Sequence, residues 1–397
     1  MRLKINSKER VKTTFKHIEP DRVPVSELYI NSPVASEVLG REAYIGWGGY
    51  IRGKVLNKML IEGRAEEFYT KEVKDLVDVY RRLELDTIII ERPPLKKPAI
   101  PIKIDENTWK FEDKKNGFWS IWKCTAITDC YGEVDSSIKQ GGAKGFERYL
   151  DFLDEPIDLD TWSWDQAEYI IRTCGHDKFI MAVVEIDFPA TSFSSWGSLF
   201  MECMVLRPDL VERYMDYRVR KGLLFIEKYA QMGVDCIFDG EDWAGVNGIL
   251  FSPKHFKKYF QPHFKQIIDA THEKNLLYMK HTDGNIMKVE KEFFKELGID
   301  AYQSVDPEAG MNINYIKKKY GDKITIMGNV DCAKVLHFGT PDEVVEETKN
   351  IIKNISPGGG HILSSSNTIH SGIPTENFLA MLKAARVYGK YPIDITI

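Results

Sequence analysis

From about residue 175 onward, the chain alternates short runs of apolar and β-branched residues with longer stretches whose apolar positions recur every three to four residues. The runs are KFIMAVVEIDFPA (178–190), VDCIFDGEDWAG (234–245), LLYMKHTDGN (276–285), IDAYQSVDPEAG (299–310), ITIMGNVDC (324–332) and HILSSSNTIH (361–370), and a helical pattern follows each. Their apolar residues are consecutive rather than alternating, which marks strands covered on both faces, so six strand-then-helix units are expected. Two more strands stand upstream, RVPVSELYI (22–30) and LDTIIIERPP (85–94), each preceded by a helical stretch. Eight such units predict an α/β protein, a (β/α)8 TIM barrel spanning 1–397 as a single domain. An open doubly wound sheet would more often carry a Gly-rich phosphate turn after its first strand, and no GxGxxG is present. Between strands two and three, residues 95–145 interrupt the pattern. Alternating residues there flank Asn116 and Gly117, which predicts a β-hairpin insertion beside the barrel mouth.

Composition narrows the classes of function. Of 397 residues, 43% are hydrophobic and 12% aromatic, enough for a large core. A formal net charge of −5 supplies no broad basic field, which argues against a nucleic-acid or anionic-membrane partner. The opening MRLKINSKER has no apolar core of a signal peptide, and no run reaches the length of a membrane span, so a cytoplasmic protein is expected. Cys124, Cys130, Cys174, Cys203, Cys236 and Cys332 form no CxxC pair, which speaks against a disulfide framework or a four-cysteine zinc knuckle.

In barrels of this kind, the C-terminal ends of the strands build the active site. Here those ends carry Glu27 and Tyr29, Glu91 and Arg92, Glu185 and Asp187, Asp239, Glu241 and Asp242, His281 and Asp283, Asp306, Asn329, Asp331 and Cys332, and Ser365, Asn367 and His370. Any one alone reads as well as a cap or turn residue; their recurrence at one end of eight strands points to metal or acid/base chemistry. In an extended segment, residues two apart share a side, so His281 and Asp283 of MKHTDGN could hold one ion or one substrate. The competing reading has Asp283 or Asn285 capping the next helix. Zinc accepts imidazole, carboxylate and thiolate, so His281, Asp283 and Cys332 are candidate ligands, with Glu241 and His370 as alternates.

The stretches SKERVKTTFKHIEPDRVPV, DGEDWAGVNGILFSPKHFKKYFQPHFKQI, MKHTDGN, IMGNVDCAKVLHFGTPDEV and PGGGHILSSSNTIHSGIPTENFLAMLKAARVYGKY resemble the uroporphyrinogen decarboxylase superfamily, which includes cobalamin-dependent methyltransferases. The resemblance implies the same barrel. The decarboxylase branch carries an arginine-rich segment after strand one and an aspartate after strand two, whereas this chain has no arginine between Arg22 and Arg41 and places Glu91 where the aspartate would stand. The methyltransferase branch binds zinc through a His-x-Cys pair and a later cysteine; here the pair is His281-x-Asp283 and SSSNTIH has no cysteine. A harder ligand set suits thiol methylation poorly. It is compatible with relatives that demethylate methoxylated aromatics or other small methyl donors and pass the methyl group to a separate corrinoid protein. That resemblance implies a methyltransferase, with zinc and with cobalamin carried by a partner. It assigns catalysis to His281, Glu241 and Asp239, and substrate binding to Tyr29, Glu91, Trp243, Asn329, Asn367 and His370. Trp119 and Trp122 of the hairpin either close the pocket or pack it onto the barrel. A homodimer is compatible with this reading. The alternatives are a uroporphyrinogen decarboxylase-like enzyme and a non-catalytic tetrapyrrole- or corrinoid-binding protein.

Overall fold

A computed structural model describes residues 5–186, 189 and 194–393; Asp187, one of the candidates above, lies outside them. Seven parallel strands form one sheet in sequence order: β1 (Thr87–Ile90), β2 (Phe179–Val183), β3 (Cys236–Asp239), β4 (Leu277–His281), β5 (Ala301–Gln303), β6 (Thr325–Met327) and β7 (His361–Ile362). Helices cover the sheet between strands, as continuous apolar strands require. Alternate residues divide the core in two. Ile89, Met181, Phe238, Met279, Ala301, Met327 and Ile362 gather on the concave side, while Ile88, Ile180, Ile237, Tyr278, Tyr302 and Ile326 pack outward under the helices. The helix Ser7–Phe15, fixed by a capping box of Asn6 and Glu9, lies against the N-terminal strand ends. It adds Val11 to the concave cluster and stacks Phe15 on Phe179.

The segment expected as strand one forms no ladder of its own. It joins its neighbours through isolated parallel bridges, Val25 to Leu363 and Ile30 to Ile369. Ser26 N–H donates to Leu363 O at 3.0 Å and Asp86 N–H to Val25 O at 2.7 Å, so the segment lies between the two edge strands, β7 and β1. Pro24 has no N–H to give, and the N–H of Val25 goes to the Asp86 carboxylate at 2.8 Å, which withdraws two ladder donors.

The expected hairpin is part of a larger, four-stranded antiparallel sheet formed by Ile102–Lys103, Thr108–Asp113, Phe118–Thr125 and Cys130–Ser136. Its turn is longer than two residues, because the Asp113 carboxylate accepts the N–H groups of Lys115 and Asn116 and so organises residues 114–117. Trp109 and Trp122 pack around Tyr131 on this sheet, so Trp122 serves packing.

Candidate functional site

The C-terminal ends of β3, β4 and β5 bring the chemistry together. His281 closes β4 and is buried; two residues on, Asp283 turns back toward it, and Asp242 arrives from the loop after β3. One ligand atom of each lies within 4.8 Å of the others. His281 Nε2 stands 3.4 Å from Asp242 Oδ1 and 3.8 Å from Asp283 Oδ1. The Asp283 N–H donates to Asp242 Oδ1 at 2.8 Å. Two carboxylates thus converge on one imidazole nitrogen.

Backbone geometry makes this convergence possible. Gly284 adopts φ +78°, and a Cβ there would lie 2.4 Å from the Ala244 carbonyl carbon, so only glycine lets the two loops meet so closely. Asn285 N–H then donates to Gly245 O at 3.0 Å. Of the two residues that could have met the next helical turn, Asn285 does so, its side chain accepting the Met287 N–H at 3.0 Å just before the turn, whereas the Asp283 carboxylate accepts from Ser304 Oγ at 2.8 Å and from Asn367 Nδ2. Ser304 and Val305 hold positive φ of 132° and 50°, uncommon for such residues and most often found at functional sites.

The electrostatics follow from this crowding. Burial opposes charge on His281, yet Asp283, Asp242 and Gln303 together raise its pKa above the ordinary histidine value. Burial and then the Asp242 charge push Asp283 up to about 7. Asp242 is opposed by burial too, but its hydrogen bond and charge pairing with His281 hold it below the usual carboxylate range. The side chains of Asp242 and Asp283 remain 31% and 27% exposed, so solvent reaches the cluster.

The other candidates fall into distinct roles. Asp239 and Lys280 form a fully buried ion pair; Lys280 also donates to Glu241 O at 2.6 Å and sits over the Trp243 ring. Asp239 therefore belongs to the support beneath the cluster. Trp243 is fully buried among Phe256, Phe264 and Phe293, which makes it a packing residue and not a pocket wall. Glu241 Oε1 lies 3.5 Å from Arg92, which also pairs with Glu185. Asn329 braces the neighbouring loop by donating to Val305 O at 2.7 Å. Cys332 is buried, takes a 3.2 Å hydrogen bond from Ser366 Oγ, and is pushed up to about 12 by burial. It stands outside the Asp242–His281–Asp283 group. A buried, protonated thiol beside a hydroxyl is already satisfied, and the ligand position expected for it is taken by Asp242.

A cleft of about 520 Å³ runs between the antiparallel sheet and the strand ends, lined by Trp47, Lys123, Asp129, Cys332, Asn367 and His370 among others. Asn367 connects it to the cluster through its bond to Asp283. Tyr29 and Glu91 line an adjoining, tighter pocket with Arg52 and Glu72, and Trp47 borders both. Burial raises Glu91 to about 8, despite the opposing charge of Arg52. Trp47 and Gln303 escaped the sequence reading. Neither sits in a pattern with chemical meaning, although the spacing of Asp239 and Asp242 in DGED could have drawn Asp242 forward.

Donor chemistry decides whether a divalent ion fits. One imidazole nitrogen and two carboxylates, with no lysine or arginine paired to either carboxylate among the described residues, suit a hard or borderline ion that keeps open positions. The residues fit zinc, with Asp242 in the place expected of Cys332.

Strand ends that crowd ionisable groups beside a roomy cleft define an enzyme scaffold of the parallel α/β type. A uroporphyrinogen decarboxylase (URO-D) family model matches residues 193–388. The uroporphyrinogen decarboxylase of Pseudoalteromonas atlantica is 21% identical over 188 residues, covering 46% of this chain and 49% of that protein. That of Coxiella burnetii is 21% identical over 246 residues, covering 60% and 63%. The chain thus spans about half the length of most of the curated relatives it matches. A methyltransferase from Methanosarcina mazei shares the fold at a TM-score of 0.62, with 17% identity over 97% of this chain and 99% of that one. The uroporphyrinogen decarboxylase family model thus matches the later half of the chain, and the fold of that methyltransferase extends over nearly its whole length. Among the described residues, no helix is long and apolar enough to cross a membrane.

Proposed function

We propose that this chain is a corrinoid-dependent methyltransferase that takes a methyl group from a small methylated donor, such as a methoxylated aromatic, and delivers it to a separate corrinoid protein at the strand-end mouth. The observation that carries the reading is the Asp242–His281–Asp283 cluster, which Asn367 joins to the cleft. It supplies anionic and imidazole donors where a tetrapyrrole with many carboxylates would need cations, and no arginine lies between Arg22 and Arg41. The same reading treats the Val25–Ile30 segment as the eighth strand position of a closed (β/α)8 barrel, with the antiparallel sheet as an insertion at its mouth.

In the reaction, the methyl–oxygen bond breaks with its electron pair left on oxygen, the methyl group passes to cobalt(I), and the oxygen takes up a proton. A divalent ion at the cluster would act as a Lewis acid on that oxygen. The chain's own residues do the rest. Asp242 and Asp283 hold the anionic face, Ser304 and Asn367 fix the Asp283 carboxylate in place, and His281 offers its Nε2 beside them, while the proton for the leaving oxygen comes from solvent, which reaches the cluster past the part-exposed carboxylates. Trp47, Asn367 and His370 wall the donor site, and Glu241 with Arg92 borders it.

The test is incubation of the purified protein with a methoxylated aromatic and a reduced corrinoid protein, beside elemental analysis of protein prepared without added metal. Stoichiometric zinc with methyl transfer supports the proposal. Release of carbon dioxide from uroporphyrinogen, with coproporphyrinogen as product, overturns it in favour of the decarboxylase; tight corrinoid binding without turnover overturns it in favour of a passive binder.

A further inference from the structure

Which ring nitrogen His281 turns toward the carboxylates is set one layer further out, at Gln303. This buried residue ends β5, directly opposite His281 in the sheet register. His281 Nδ1 is hydrogen-bonded to Gln303 Oε1. The other end of the amide, Nε2, faces two acceptors, the carbonyls of Ser365 at 3.5 Å and Ser366 at 3.4 Å. Carbonyl oxygens accept and never donate, so the NH₂ group must face them and the amide oxygen must face His281. An amide oxygen likewise only accepts, so the proton of neutral His281 sits on Nδ1 and the lone pair sits on Nε2, aimed between Asp242 and Asp283.

The two carbonyls are themselves held in place. Ser365 N–H and Oγ donate to the fully buried Glu27 carboxyl group at 3.1 and 2.6 Å. Ser366 N–H donates to Val330 O at 2.8 Å, and its Oγ accepts from the Cys332 N–H and donates to Cys332 Sγ, both at 3.2 Å. Cys332, expected to be a ligand, thus lies in the frame behind one.

We propose that Gln303 is a positioning residue whose amide, oriented by the Ser365 and Ser366 carbonyls, fixes His281 in the tautomer that offers Nε2 to a cation shared with Asp242 and Asp283. The inference rests on the metal reading of the cluster, and its test separates the two. Gln303→Met keeps length and volume but removes both the acceptor and the donors. Zn²⁺ and Co²⁺ affinity should fall about 10- to 100-fold in this variant, and the visible spectrum of bound Co²⁺ should change, while the far-ultraviolet circular dichroism stays that of the unaltered protein. Nitrogen-detected NMR of ring-labelled histidine in the metal-free, unaltered chain, at a pH high enough for the ring to be neutral and with His281 assigned by loss of its signals in His281→Ala, should show Nδ1–H and a bare Nε2. That measurement does not depend on the variant folding. An Nε2–H tautomer in the unaltered chain, or unchanged affinity and an unchanged Co²⁺ spectrum in Gln303→Met, overturns the role given to Gln303. Absence of metal uptake by the unaltered chain, with Nδ1–H present, removes the Lewis acid from the proposed function and leaves Gln303 as the residue that fixes the tautomer.

Discussion

The two ends of the parallel sheet treat charge differently. At the N-terminal end, the buried carboxylates of Asp86 and Asp235 each meet two cations. Asp86 pairs with Arg10 at 2.8 Å and Arg22 at 2.7 Å, Asp21 pairs with Arg10 at 2.7 Å, and Asp235 pairs with Lys8 at 2.9 Å and Lys12 at 2.8 Å. These pairs also accept backbone N–H groups, from Val25 and Ile180, that the strands leave over. At the C-terminal end, Asp239 beneath the cluster is likewise paired with Lys280, but Asp242 and Asp283 above it face one imidazole and each other. Satisfied charges fasten the helix Ser7–Phe15 across the sheet, whereas under-compensated charges create a place where a cation gains by arriving. A buried ion pair is thus read as architecture at one end and a carboxylate pair as chemistry at the other.

The sharpest way to break this contrast is to remove the imidazole. His281→Ala should reduce methyl transfer by at least 1000-fold, on the scale of losing the ligand that holds the Lewis acid in place, with thermal unfolding little changed. Equal loss of folding and activity, followed by calorimetry, would make His281 another architectural group. Asp283→Asn sharpens the same point: asparagine keeps the size and can still accept from Ser304 but gives up the charge, so metal content and methyl transfer should fall together, and retained activity would mean that charge at this position is irrelevant.

At the opposite end, Asp86→Ala leaves Arg10 and Arg22 without their buried partner. It should destabilise the fold by about 3–5 kcal/mol in denaturant titration while turnover per folded molecule stays unchanged. A selective loss of turnover would erase the distinction between the ends.

A third, smaller effect concerns pH. Burial raises Glu27 from the ordinary 4.5 to about 8. Between those values the folded chain keeps a proton that the unfolded chain has released. Stability from this group is therefore full below about 4.5 and is lost as pH rises through about 8. Glu27→Gln should flatten the decline, a difference on the order of a few kcal/mol between pH 5 and pH 8 in chemical denaturation. An unchanged slope would mean that Glu27 is ionised in the folded protein. The smallest effect is expected from Ser304→Ala, which removes one of two side-chain donors to Asp283 and should weaken metal binding about 10-fold by titration.

Much of this organisation was legible in the order of residues. Consecutive apolar runs such as TIII and FIMAV can only be strands covered on both sides, and each ends where polar residues begin, so the strand ends and His281 with Asp283 followed from periodicity. What escaped depends on distance in the chain. Asp242 stood among the strand-end carboxylates, but it meets His281 only because Gly284 lets the following loop press against Ala244, and Gln303 matters only because β5 lies beside β4; neither relation leaves a local pattern. Cys332 misled because a thiol near a strand end reads as a ligand, whereas burial beside Ser366 gives it a partner of another kind. Trp243, in an apparently exposed loop motif, turned inward because three phenylalanines from two later segments close over it.

The seam between the Val25–Ile30 segment and β7 has a consequence for how the chain comes to be folded. Its partners are among the most distant in the molecule: the Glu27 to Ser365 hydrogen bonds span 338 positions. During synthesis at roughly 5–20 residues per second, the first apolar segment must wait until almost the whole chain has emerged before its far neighbour exists. Contacts of such long sequence separation close late, because the entropy of so large a loop is lost before any pairing rewards it. Ser365, Ser366 and Asn367, which orient Gln303 and Asp283, lie on this seam. Half-made chains therefore carry the carboxylates without the frame that holds them, and the cluster is completed only when this seam closes.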